Sequence, residues 1–425
     1  MSGIKEENSV LKNIKSFLDE NMQSMDNCYN AIRGNNGERL LRNELDEISN
    51  EDFDSEFPLV SAVILTANKF ECDALNYLMN NYEEHNVKKR RDKIHIFKKI
   101  DINSSEAYLF KISSCNILHL LASETGSNTP GGSTDLVRFV SNHPQLFPTC
   151  IISFGICYGR DSEKQKIGDV IIPIKLYPWS IGQKIVDKNF KIKHDNFNLF
   201  LSDKFSESGL YSAIESYCNG FDGTIIQKTV SIPMETNFNI NVKCGNMSTG
   251  EAVVSSKKIR DYLHRATGID NELGGEMEGY GLAKECIYYA NIPCIIVKGI
   301  CDWGEMKDIE RALAGSDFPL PPHLKDSLQA YAAFCSGIIL LDLLSVEKEK
   351  FLLLKLIKFL NEKKVCSSIH YNGKSNIIQS IQEYFCDECD AEKIFDDLVK
   401  FQKLIKVDVA CLDKTVYRSN GGNYA

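Results

Sequence analysis

An α/β fold is predicted for most of this chain, and three observations predict it. Short, apolar, often β-branched runs recur between residues 59 and 297. Helical patterns lie between several of them. The runs are apolar throughout rather than alternating, as expected of strands covered on both faces. In order, strands are expected at residues 59–66, 117–122, 150–154, 170–172 and 293–297. Helices are expected at 134–142, 256–264 and 277–289, with a long one at 324–344 closing the domain.

Three parts follow from this texture. Residues 1–55 are polar and acidic, with helical spacing at Leu11, Ile14, Phe17 and Leu18, and read as a small helical appendage and linker. Residues 56–346 form the α/β domain. Residues 347–425 show helical patterns at 351–360, 376–385 and 391–401, then strand-like pieces at 405–409 and 415–417. Helices followed by a β-ribbon outline a winged-helix-like module. Its near-balanced charge points to protein contact or assembly rather than DNA binding.

Composition excludes whole classes. With 425 residues, 43% hydrophobic and 25% charged, the chain is too apolar for disorder and too polar for a membrane protein. A net charge of -9 disfavours nucleic-acid and anionic-membrane partners. The opening MSGIKEENSVLKNIK lacks the apolar stretch of a signal peptide. No run approaches the roughly 20 apolar residues of a membrane span; the best, 337–344, is interrupted by Asp342. Fifteen cysteines, an odd number, suggest reduced thiols in the cytoplasm. Cys386 and Cys389 form a C-x-x-C with no second ligand pair, so no metal and no cofactor is expected. His95 and His119 sit in strand-like runs and read as core residues.

Four segments carry the chemistry. Thr66-Ala-Asn-Lys-Phe-Glu71 places Glu71 where a strand ends and a helix begins, the ligand side of an open sheet; by itself Glu71 is better read as a helix-start acid. Glu124-Thr-Gly-Ser-Asn-Thr-Pro-Gly-Gly-Ser133, with Gly126 and Ser127, joins a strand to a helix. Its glycines allow close approach of a ligand, but no Lys follows them, so it is not a P-loop. Ser153-Phe-Gly-Ile-Cys-Tyr-Gly159, with Cys157 and Tyr158, reads as an exposed turn against which a flat ring could lie. Gly274-Gly-Glu-Met-Glu-Gly279 is expected to start a helix, and Lys298-Gly-Ile-Cys-Asp-Trp303 to end a strand. Acids at Glu276, Glu278 and Asp302 on such termini are costly if buried without purpose.

Glu-Met-Glu followed by Gly-Ile-Cys-Asp, in this order and spacing, resembles the nucleoside phosphorylase and nucleosidase superfamily, over about residues 59–346. The resemblance implies one domain around a mixed, partly barrel-like sheet flanked by helices, and cleavage of a purine N-glycosidic bond. It implies that Asp302 protonates the base, with Cys301 where relatives often have Ser. It implies that Glu278 grips the ribose hydroxyls with Met277 on the sugar and Glu276 alongside, and that Val253 and Val254 hold the base. Where phosphorylases of the group carry Gly-Asp-Pro-x-Arg, this chain has Ala67-Asn-Lys-Phe-Glu71. Glu71 matches instead the glutamate that activates water, so hydrolysis is favoured. Ser127, Arg160 and the run Lys-Lys-Arg-Arg at 88–91 are candidates for 5′-phosphates, the run being also an ordinary solvated face. The chain has modules at both ends that a housekeeping nucleosidase does not need. Gly-Ile-Cys-Tyr-Gly at 155–159 and Lys-Gly-Ile-Cys-Asp-Trp at 298–303, followed by Gln-Ala-Tyr-Ala-Ala at 329–333, resemble the superfamily domains attached to immune and antiviral proteins, some of which destroy ATP. The leading expectation is therefore a regulated, homo-oligomeric purine nucleotide N-glycosidase, with the end modules open to a protein partner. Its rivals are a metabolic methylthioadenosine/S-adenosylhomocysteine nucleosidase, a non-catalytic nucleotide sensor and, least favoured, a DNA-binding regulator.

Overall fold

The computed structural model describes residues 2–33, 39, 46–48, 60–81, 95–97, 106–112, 115–126, 130–142, 148, 150–179, 183–185, 192–194, 198–204, 210–221, 239–290, 292–306, 309–310, 313, 323–346, 374–384, 391–392, 395–396, 404–409 and 414–419. Helix α1 (Ser2–Ile32) comes first, then β1 (Asp46–Ile48), β2 (Val60–Thr66), α2 (Lys69–Asn81), β3 (His95–Phe97), β4 (Glu106–Ile112), β5 (Cys115–Leu121) and α3 (Ser133–Asn142). The middle of the chain holds β6 (Cys150–Gly159), β7 (Val170–Pro178), β8 (Gln183–Ile185), β9 (Ile192–His194), β10 (Leu199–Phe200), α4 (Leu201–Lys204) and α5 (Leu210–Gly220). Next are β11 (Val242–Thr249), α6 (Lys257–Thr267), β12 (Glu272–Glu276), α7 (Gly279–Glu285), a π-helical turn Cys286–Ala290, β13 (Cys294–Asp302) and α8 (Leu324–Val346). The chain divides into two compact units, Met1–Ser345 and Val346–Ala425.

The first unit is a mixed α/β structure around one sheet of eleven described strands, in the order β1-β3-β4-β5-β2-β6-β12-β11-β7-β10. Strand β13 pairs with both β6 and β7, which closes β6, β12, β11, β7 and β13 into a ring. The sheet is therefore an open arm attached to a small barrel, and β6 belongs to both. Parallel pairing of β2 with β5 and β6, and of β6 with β13, sets their carboxyl ends side by side. Such ends are where α/β sheets gather ligands.

Strand β6 extends to Gly159 and is buried along almost its whole length. The exposed turn expected at 153–159 is therefore corrected to the continuation of the strand. Pairing with β13 (Lys298 to Gly155, Ile300 to Cys157) and with β12 (Gly275 to Tyr158) holds it extended. The helix expected to start at Gly274 is likewise corrected: Glu272–Glu276 is strand, and the helix begins at Gly279. Two glycines in so short a strand mask its propensity.

Helix α1 lies in the first unit, with Ile14, Phe17, Leu18, Met25, Cys28 and Ile32 buried at helical spacing. Each such side chain contributes about 1.5–3 kcal/mol of transfer free energy. Phe17 packs edge-on against Tyr331 of α8. The span 324–344 within α8 is long and apolar enough to cross a membrane, contrary to expectation, and 94% of its most apolar stretch is buried inside the protein. A helix packed on all sides is apolar on all sides.

In the second unit the described elements are α9 (Lys374–Tyr384) and an antiparallel hairpin of β14 (Leu404–Val409) and β15 (Lys414–Ser419). The helix expected at 351–360, Cys386 and Cys389, and the basic run at 88–91 lie outside the described residues.

Candidate active site

Glu71 stands in the first turn of α2. Asn68 caps that helix: its Oδ1 accepts the Glu71 N–H at 3.0 Å, and Glu71 Oε2 accepts the Asn68 and Ala67 N–H groups at 3.1 and 2.8 Å. This is a reciprocal capping box, so the helix-start role of Glu71 is real. The other oxygen points elsewhere. Oε1 accepts the Ile156 N–H of β6 at 3.0 Å and lies against Gly155, where an added Cβ would come within 2.1 Å of it. Gly155 is thus needed for the carboxylate to reach the strand. Burial pushes the Glu71 carboxyl up to about 7; Lys298 opposes the shift and Glu278 adds to it.

Lys298 links the carboxylates. It sits within β13, fully buried, with Nζ 3.1 Å from Glu278 Oε2 and 3.8 Å from Glu276 Oε2. Burial works against its charge, but Glu278, Glu71 and Glu276 outweigh burial and hold it protonated. Glu278 precedes α7 and accepts the Gly126 N–H at 3.4 Å, while its carbonyl accepts from Ser133 Oγ at 3.2 Å. The loop after β5 is thereby tied to the cluster. Glu276 Oε2 accepts the Glu278 and Gly279 N–H groups at 2.8 and 2.7 Å, and burial raises its pKa.

Asp302 ends β13, opposite Tyr158 of β6. Its Oδ1 accepts the Gly304 N–H and its Oδ2 faces the Cys301 thiol at 3.8 Å. Burial raises its carboxyl to about 6 despite the Gly304 bond. Cys157 and Cys301 are buried between the acids: Cys157 feels Lys298, Glu276, Asp302 and Glu71, and Cys301 feels Asp302, Cys157 and Glu71. Burial drives both thiols upward, so they stay neutral.

The structure therefore brings together Glu71, Glu276, Glu278, Asp302, Cys157, Cys301 and Gly126. Met277 is half-buried beside them. Tyr158 is a strut whose hydroxyl bonds Ser248 Oγ at 2.7 Å. Val254 is buried, but Val253 is 73% exposed, so only one of the pair packs inward. Arg160 is turned to other partners, with Asp261 at 2.7 Å and Glu272 at 3.4 Å, which draws its guanidinium away from a phosphate role. Ser127 lies outside the described residues. Lys298 is the residue that sequence reasoning passed over. Its signal was a lone charge inside an otherwise apolar strand, which must find partners if buried. Among the described residues no group of His, Cys, Asp or Glu is arranged to hold a metal ion. His119 is fully buried between Thr66 Oγ1 and Asn76 Oδ1, and burial lowers its pKa to about 3.

No protein-family model matches the chain. Over 191 residues it is 27% identical to a death domain-containing ATP nucleosidase of Amphimedon queenslandica, a match covering 42% of this chain and 33% of that protein. The chain thus spans a third of that relative's length. Among solved structures it is similar to the futalosine hydrolase of Helicobacter pylori, at TM-score 0.43 and 16% identity over 68% of this chain and 98% of the other. It is also similar to the methylthioadenosine/S-adenosylhomocysteine nucleosidase of Streptococcus pneumoniae, at TM-score 0.43 and 16% identity over 67% and 99%.

Proposed function

We propose that this chain hydrolyses the N-glycosidic bond of an adenine nucleoside or nucleotide, with ATP as the leading substrate, and releases free adenine. The observation that carries the reading is the buried set of Glu71, Glu278 and Lys298 with Asp302 alongside. Two of its carboxyls titrate near neutrality, at about 7 and about 6. Cleaving a purine–ribose bond needs a base for water and an acid for the departing ring. Water attacks C1′ as Glu71 takes its proton. The bond from C1′ to N9 breaks, its electron pair passes into the ring, and Asp302 delivers a proton to the base at N7. Glu278 accepts the ribose hydroxyls and faces the positive charge that grows on the sugar. Lys298, with Nζ 3.1 Å from Glu278 Oε2, holds that side chain in place while it does so. Cys157, Cys301 and Val254 supply neutral walls.

The choice of ATP over an uncharged substrate is supported by the likeness to the ATP nucleosidase. Pure protein incubated with ATP, AMP, adenosine and methylthioadenosine is expected to yield adenine on chromatography. Adenine from none of the four sinks the reading; binding without release favours a sensor. We place the activity in the cytoplasm, in a homo-oligomer that serves an antiviral or stress response. Loss of adenine from ATP drains a pool the cell depends on, and the chain carries a second unit, Val346–Ala425, beyond the one that holds the charge cluster.

A further inference from the structure

Arg260 stands apart from the cluster described above and is almost fully buried on α6. A buried guanidinium needs partners for its charge and its donors. Arg260 finds them in the turn that follows Asp302. Its Nη1 donates to the Trp303 carbonyl and lies 2.7 Å from Glu305 Oε1, and Glu305 is itself buried. Between these anchors Gly304 has φ +68°, in the left-handed region, and its N–H donates to Asp302 Oδ1. Three successive features therefore serve one turn: a carbonyl held by Arg260, a glycine bent to suit, and an N–H aimed at the Asp302 carboxyl. Behind Arg260 a relay continues, with Arg260 bonded to Asp261 at 3.3 Å, Asp261 to Arg160 at 2.7 Å, and Arg160 to Glu272 at 3.4 Å. Glu272 opens β12, the strand that leads to Glu276. The relay thus runs from the turn behind Asp302 to the strand behind the ribose-side acids.

We propose that Arg260 and Glu305 are positioning residues for Asp302, acting through the main chain of the 302–305 turn rather than by touching substrate. The proposal rests on the nucleosidase reading of the site. Bound to Glu305, Arg260 fixes the turn and also screens a carboxylate close to Asp302. The charged and titratable groups that face Asp302 are Cys301 and Glu305 on its own segment, Cys157 on β6 and Lys325 on α8. Among these Lys325 favours the ionised carboxyl and Glu305 disfavours it. Removing Arg260 leaves Glu305 unscreened and makes Asp302 harder to ionise. Removing the Glu305 charge makes it easier.

The test uses the full-length protein, with adenine release from ATP and from methylthioadenosine followed across pH. Arg260→Met is expected to lower kcat about 10–100-fold, as a misplaced acid does, with KM within about twofold, and Arg260→Lys to recover part of the loss. The pH limb governed by Asp302 is expected to move up in Arg260→Met, by less in Arg260→Lys, and down in Glu305→Gln. A merely structural pair would not move that limb in opposite directions. Should Arg260→Met fail to fold, Arg260→Lys and Glu305→Gln carry the test. An active wild type whose folded variants all keep the wild-type kcat and pH limb overturns the positioning role alone. A wild type that releases no adenine from any substrate overturns the nucleosidase reading and this role with it.

Discussion

Two clusters of charge, one buried and one partly exposed, meet near the start of α2, and they are balanced differently. Asp73 takes Arg33 and, at 3.0 Å, Arg39, which also reaches Glu106 at 2.8 Å: two cations face two carboxylates. Two residues earlier on the same helix, Glu71 joins Glu278 and Glu276 around Lys298: one cation faces three carboxylates. Residues i and i+2 point about 200° apart on a helix, so a single turn serves both clusters from opposite faces. In the balanced cluster burial raises Glu106, but its bonds from Arg39 and Tyr108 outweigh burial and hold it low. In the other, the cation is outnumbered and Glu71 rises to about 7. A matched cluster locks structure, whereas a surplus of buried carboxylate leaves a proton free to move near neutral pH.

The contrast breaks most readily at its chemical end. Asp302→Asn is expected to lower kcat for adenine release by about 10²–10⁴-fold, the usual worth of a general acid, with nucleotide binding retained by calorimetry. Unchanged turnover would remove Asp302 from its role. Next in size, Lys298→Met leaves three buried carboxylates without their cation and is expected to cost about 3–5 kcal/mol of stability, read by urea unfolding, with Lys298→Arg closer to wild type. On the balanced side, Arg33→Met leaves Asp73 with Arg39 and is expected to cost about 1–3 kcal/mol. Its kcat per folded molecule should stay within about twofold of wild type; a large kcat loss would erase the distinction between the clusters.

Two pH experiments sharpen it further. In the proposed reaction Glu71 works ionised and Asp302 works protonated, so kcat/KM should fall below pH about 7 for want of the base and above pH about 6 for want of the acid. The profile is a bell with its maximum near pH 6.5, its limbs each approaching tenfold per pH unit. The smallest effect lies in stability. Glu71 binds its proton more tightly folded than unfolded, so its contribution is complete below pH 4.5 and lost as pH rises through about 7. Glu106 runs the other way, its contribution present above pH 4.5 and lost as pH falls through its lowered value. Glu71→Gln should flatten the fall in Tm between pH 5 and 8, and Glu106→Gln should leave that window unchanged.

Much of the fold and half of the site were legible because they rest on local signals. Apolar runs mark β2, β5 and β13, and the glutamates before α7 and Asp302 stand in a recognisable spacing. What was not legible depends on partners distant in sequence. The glycines of β6 read as turn formers; one of them is glycine because Glu71, 84 residues before it, needs the space beside it. Lys298 reads as an ordinary lysine until carboxylates from two other segments surround it. The polar first 55 residues read as an appendage because the apolar side chains of α1 are thinly spread, yet Ile14, Phe17, Leu18, Met25, Cys28 and Ile32 are all buried. Strands β11 and β12 carry glycine and polar residues, which hide a strand from any pattern of alternation.

The seat of α1 has a consequence for how the protein is made. The Tyr331 hydroxyl donates to Asn21 Oδ1 across 310 residues of chain, and Phe17 waits for the same tyrosine. At roughly 5–20 residues per second, a ribosome delivers α8 about 15–60 s after α1 has emerged. For that interval Phe17 lacks its final partner, although α2, which α1 also contacts, has already been made. Lys298 and Asp302 also emerge late, so an unfinished chain cannot assemble the charge cluster. On the proposed reading, synthesis itself keeps a nascent molecule harmless to the nucleotide pool around it.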